Sequence, residues 1–124
     1  LDTIITGDLS DMAAIGRLAV MRDVYRPDGL QSSVMLIPDE RKAEVWDAFT
    51  AGPDRHIAQY AYGGDQVFLE SVWYGDRVAI WQDELPGQVQ SYKVANMASR
   101  GVPDNCRAVI FHGQPKPRDI AWTL

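Results

Sequence analysis

An α/β domain is the fold class this sequence predicts, and three observations predict it. Short apolar, β-branched runs alternate along the chain with stretches of helical period. Caps, glycines and prolines punctuate the two kinds of segment. The length of 124 residues, with 46% hydrophobic and 23% charged residues, suits one compact domain spanning 1–124.

Residues 1–6 read as a short strand ending at Gly7. Asp8 or Ser10 can cap a short helix through Met12 and Ile15. Residues 18–21 form a second strand, and Pro27-Asp28-Gly29 marks a turn. Residues 33–37 form a third strand, stopped by Pro38. Asp39 is placed to cap a helix over 40–51 whose apolar face holds Ala43, Trp46, Phe49 and Thr50, with Gly52-Pro53 ending it. A short helix over 54–60 is followed by the break Tyr62-Gly63-Gly64, after which Asp65 can cap a helix through Phe68, Leu69, Val72 and Trp73. Residues 77–81, 89–94 and 107–111 read as further strands. Repeats, low-complexity segments and linkers are lacking in the sequence.

Composition narrows the function. The formal net charge of −5 argues against a nucleic-acid groove, which needs clustered Lys and Arg. One cysteine, Cys106, makes no internal disulfide, and a reducing cytoplasmic setting is expected. Apolar runs fall well short of the roughly 18 residues of a membrane helix. The chain opens inside a strand, and we expect it to belong to a longer sequence.

Chemistry in an α/β sheet collects in loops past the carboxyl ends of strands. Two loops fit that rule here: the one after the first strand, and the segment His112-Gly113-Gln114-Pro115-Lys116-Pro117. His112 leaves a buried strand at the sheet edge, Gly113 permits a tight turn or a close approach, and the prolines stiffen the loop carrying Lys116. Lys is a point charge suited to phosphate. The same loop also reads as an ordinary surface turn. Asp2 lies in an apolar strand, where a carboxylate needs a partner or a ligand. Asp65 reads first as a helix cap. His56 follows Arg55 on an exposed helix and reads as a surface residue, Cys106 as a small core residue, and Asp83-Glu84 as a solvated turn. Trp73, Trp81 and Trp122 could stack on a sugar, although aromatics more often fill a core.

Taken in order, these segments resemble the nucleotide-sugar glycosyltransferases of the GT-A fold, closest in pattern to glycosyltransferase family 8 and to related short transferase-like proteins of bacteria and phages. Leu1-Asp2-Thr3-Ile4-Ile5-Thr6-Gly7 resembles the second half of that family's metal-binding DxD strand, with Asp2 as the second Asp and the first expected just upstream. Residues 30–37 resemble the strand that lines the donor sugar, Asp65-Gln66 the Asp-Gln that opens a helix, and His112, Gly113, Lys116 and Pro117 the terminal His-Gly-Lys-Pro signature. The sequence departs from the pattern at Gln31 for Asn, Ser33 for Gly and Val67 for Asp, and Lys116 follows His112 more closely.

The resemblance implies the C-terminal part of a GT-A mixed sheet with flanking helices, without its nucleotide-binding half. It implies Mn²⁺ or Mg²⁺ on Asp2 and His112, with Gln31, Ser32, Ser33, Gly113 and Lys116 binding substrate. Asp65 and Gln66 would lie at the reacting sugar, Gln66 on the face opposite the leaving group. The donor expected is a UDP-sugar; the acceptor is open. An uncovered sheet edge and apolar face would favour self-association. The competing reading is a non-catalytic binding or structural module that keeps the transferase fold. A hydrolase reading is weaker, since a Gly-x-Ser-x-Gly elbow is lacking.

Overall fold

The computed structural model describes residues 2–73 and 76–120. Among the described residues, six short strands form two three-stranded mixed sheets. In the first, β1 (Thr3–Ile5) runs antiparallel to β6 (Ala108–Ile110), and β5 (Val89–Ser91) runs parallel to β6 on its other side. In the second, β2 (Ala19–Arg22) lies between β3 (Leu30–Leu36), antiparallel, and β4 (Ala79–Ile80), parallel. The protein is therefore mixed α/β, with its strands divided between two sheets.

Strand periodicity explains the division. Successive side chains of a strand point to opposite faces. Ala19 and Met21 of β2 join Ala108 and Ile110 of β6, with Met12, Trp81 and Val89, in one buried cluster shared by the two sheets. Leu18 and Val20 point the other way, into a cluster with Leu69 and Trp73. Val109 and Phe111 point away from the shared layer to Met97 and Cys106. Runs that are apolar at every position need cover on both faces, and this layering supplies it. Each fully buried large apolar side chain contributes roughly 1.5–3 kcal/mol.

The helices are α1 (Ser10–Ala13), α2 (Lys42–Thr50), α3 (Pro53–Gln59), α4 (Gly64–Val72), α5 (Trp81–Glu84) and α6 (Met97–Arg100). Asp8 steers the entry to α1, accepting both the Ser10 N–H at 2.9 Å and its hydroxyl at 2.7 Å. Asp39 does not cap a helix. It pairs with Lys42 inside a 3-10 turn, Asp39–Arg41, that precedes α2. The apolar face assigned to that helix also differs: Val45 packs into the core while Trp46 remains 67% exposed. Asp65 sits inside the first turn of α4, behind Gly63 at the cap position. Asp83 and Glu84 belong to α5 and pair with Arg22 and Arg17.

Trp73 and Trp81 are core residues, buried to about the same degree as Cys106, and burial pushes the Cys106 thiol up. Trp122 and Leu1 lie outside the described residues. Among the described residues no helix is long and apolar enough to cross a membrane.

Candidate functional site

The antiparallel pairing of β1 with β6 decides where the site can be. The loop after β1 lies beside the start of β6, where the Thr6 N–H bonds the Arg107 carbonyl at 2.9 Å. The loop at 112–117 leaves the opposite end. The two loops expected to share chemistry are thus separated, and it is Asp2, before β1, that meets the second one. The Phe111 N–H donates to the Asp2 carbonyl at 2.7 Å and fixes the neighbourhood.

Lys116 Nζ then donates to Asp2 Oδ2 at 2.6 Å. Lys116 is itself held by its backbone N–H, which donates to Asp119 Oδ2 at 2.8 Å across the 3-10 turn Pro117–Asp119. The Lys116 hydrogen bond, opposed by some desolvation, holds the Asp2 carboxyl below its ordinary pKa.

Asp65 approaches from the other sheet. Ser32 Oγ donates to Asp65 Oδ2 at 2.7 Å, binding β3 to the first turn of α4. Thr3 Oγ1 donates to the Ser33 carbonyl at 3.3 Å and brings β1 alongside β3. Asp2, Thr3, Ile5, Ser32, Ser33 and Asp65 together line an open cleft of about 560 Å³. Of the residues named from sequence, Asp2, Ser32, Ser33 and Asp65 therefore line one cleft, and Lys116 is joined to it through Asp2.

Others do not line it. Gln31 alternates with Ser32 and is 93% buried by its 7% exposure, with Oε1 lacking a partner among the described residues. Gln66 turns from Asp65 and donates through Nε2 to Asp23 Oδ2 at 2.7 Å. Burial works against the Asp23 carboxylate, but donors from the Tyr25 N–H, Gln66 and Arg26 outweigh it and leave its pKa lowered.

His112 stands at the carboxyl end of β6 next to β5. Ser91 Oγ lies 2.6 Å from His112 Nε2 and accepts the Val94 N–H at 3.2 Å. The Ser91 hydroxyl can donate to Nε2 or accept from it, according to the imidazole tautomer. Tyr25 meets the imidazole edge-on at 5.1 Å between centroids. Desolvation first, then Lys93 and Lys116, push the His112 pKa down against the pull of Asp23. Gly113 adopts φ +70, and a Cβ there would sit 3.4 Å from Lys93 Nζ.

Lys93, Ser91 and Tyr25 were missed from sequence. Residues 89–94 read as one strand, whereas β5 stops at Ser91 and the following turn carries Lys93 toward Gly113. A strand-terminal Ser two residues before a Lys was the available signal. His56 is also corrected: its ring is half-buried between Phe49, Tyr60 and Phe68, at 6.4, 6.1 and 5.1 Å.

Among the described residues, three or more His, Cys, Asp or Glu side chains nowhere group to hold a metal ion. Asp2 is engaged by Lys116, and His112 has ammonium groups as neighbours. What the arrangement offers instead is a carboxylate–hydroxyl pair on the wall of a polar cleft, with the Lys116 ammonium bound to its Asp2. No protein-family model, curated protein or solved structure matches this chain.

Proposed function

We propose that the chain forms the sugar- and diphosphate-binding wall of a nucleotide-sugar glycosyltransferase with a UDP-sugar donor. One observation carries this reading: residues 2, 32–33 and 65, far apart in sequence, line one polar cleft, and Lys116 is bound to the Asp2 carboxylate. Carboxylate and hydroxyl groups on a cleft wall suit sugar hydroxyls. Asp65, aligned by Ser32, would accept from the sugar. Lys116 would exchange Asp2 for a diphosphate, whose charge grows as it leaves, and Lys93 would add to the field. Gln66, tethered to Asp23, would hold the first turn of α4 in place.

Asp2 and His112 do not by themselves suit Mn²⁺ or Mg²⁺. Such ions take several oxygen or nitrogen donors, whereas here one carboxylate already holds an ammonium and Nε2 is already hydrogen-bonded to the Ser91 hydroxyl. A metal ion at Asp2 and His112 would need further donors. The same Asp2–Lys116 pairing favours a second reading, a non-catalytic module that retains the sugar-binding cleft.

The test is calorimetric titration of UDP with Mn²⁺ or with a chelator. UDP is expected to bind, and Lys116→Ala to weaken binding about tenfold through a lost charge-assisted hydrogen bond. An unaltered dissociation constant removes Lys116 from the diphosphate site. Failure to bind under either condition overturns the nucleotide reading for this chain. Binding that needs Mn²⁺ assigns the ion to the site; metal-independent binding assigns the task to the lysines.

A further inference from the structure

A second, larger cavity adjoins the polar cleft. It has a volume of about 740 Å³ and lies between β3 and helices α2, α3 and α4. Its walls include Met35, Trp46, Phe49, Ile57, Tyr60 and Phe68. That volume falls in the range of small-molecule sites, which are mostly apolar with a few placed polar groups. Trp46 is 67% and Ile57 63% exposed, a cost to a lone domain that a bound apolar group would relieve. Phe49 stacks on His56, and Phe68 meets Phe49 and Tyr60 edge-on and His56 at a tilt, so part of the lining is a packed aromatic layer.

The placement of Asp65 identifies the occupant. Asp65 lines this groove and the polar cleft alike. Gly64 beside it also lines the groove, and a Cβ there would meet nothing within 4 Å, so the backbone next to Asp65 is uncovered. A molecule lying across the junction would place an apolar body over Trp46 and Ile57 and a hydroxylated head at Asp65 and Ser32. We infer that this groove binds the apolar body of an amphiphilic alcohol or glycoside whose polar head reaches Asp65. As a statement about the acceptor substrate, this rests on the transferase reading; as a binding site, it stands apart from it.

Octyl β-D-glucopyranoside, kept below its micelle concentration, and methyl β-D-glucopyranoside are the probes, titrated in the absence of nucleotide. The octyl glycoside is expected to bind at least about tenfold more tightly, because several methylenes leave water. Ile57→Asp and Trp46→Ala change exposed positions and should keep the wild-type circular dichroism. Both should bring the octyl affinity down to the methyl level. Equal affinities of the two glycosides for the wild-type chain overturn the inference. So does octyl binding that neither substitution weakens. A dimer seen by sedimentation, dissociated by Ile57→Asp but unaffected by the octyl glycoside, assigns the groove to a second copy and likewise overturns it. Octyl binding without UDP binding retains the groove and removes the transferase reading, so the two failures are separable.

Discussion

Trp81 joins chemistry and packing in a single side chain. It is almost fully buried in the cluster shared by both sheets, and its indole Nε1 donates to the Val34 carbonyl at 3.0 Å. A buried carbonyl that loses its donor keeps the desolvation cost without the bond. Trp81→Phe removes the donor and leaves part of the indole volume empty. The expected loss is about 2–4 kcal/mol, combining the unpaired carbonyl with the cavity, read as a lower urea midpoint with an unchanged slope. A loss under about 0.5 kcal/mol, the scale of a neutral surface change, would mean that the bond contributes little.

At the same scale, the site was legible as residue types and illegible as partners. Asp2 was recognisable because a carboxylate in an apolar run needs an explanation. Its partner Lys116, 114 positions later, depends on the β1–β6 pairing, which no local pattern encodes. Ser32 and Asp65 were both named, yet Asp65 was read as a cap because its own sequence neighbourhood offers that simpler use.

Helix α4 shows what an element needs to present Asp65. Gly63 occupies the cap position, and a Cβ there would fall 2.1 Å from Val67 Cγ2 and 2.7 Å from its Cβ. Val is stiff at χ1, so little rotamer movement relieves the clash. Gly63→Ala is expected to cost about 1–3 kcal/mol, the range for overpacking. In a Val67→Ala background the same change should cost much less, because the clashing methyls are gone. Thermal melts of the four proteins in that double-mutant cycle check it, and strictly additive losses would disprove the contact. This glycine pair was legible as a break. The apolar face of α2 was not: helical spacing selected Trp46, but tertiary packing took Val45 and left Trp46 on the groove. Periodicity finds an amphipathic helix more readily than it finds which edge of the stripe faces the core.

Across the whole molecule, the two-sheet arrangement could not be read from strand positions, since pairing between distant three-residue runs is set by how each covers the other's apolar face. That arrangement also sets the response to acid. Asp2, Asp8, Asp23, Asp39 and Glu44 are all held below their ordinary pKa values by donors or cations. Their stabilisation is complete above the unfolded carboxylate values of about 4 and is lost as the pH falls through the lower folded values. His112 acts in a different window with the same sign. Its folded pKa is depressed by burial and by Lys93 and Lys116, so the unfolded chain takes up the proton first, near about pH 6.5. Between that value and the lower folded one, the unfolded state binds more protons and stability falls with pH. Wild-type protein is therefore expected to lose urea resistance between about pH 7.5 and pH 5, above the carboxylate window. His112→Gln, which can still meet the Ser91 hydroxyl, should lose less over the same interval and converge with wild type only in the further decline at lower pH. Equal losses by both proteins between those two pH values would show that the imidazole is not held neutral by its surroundings.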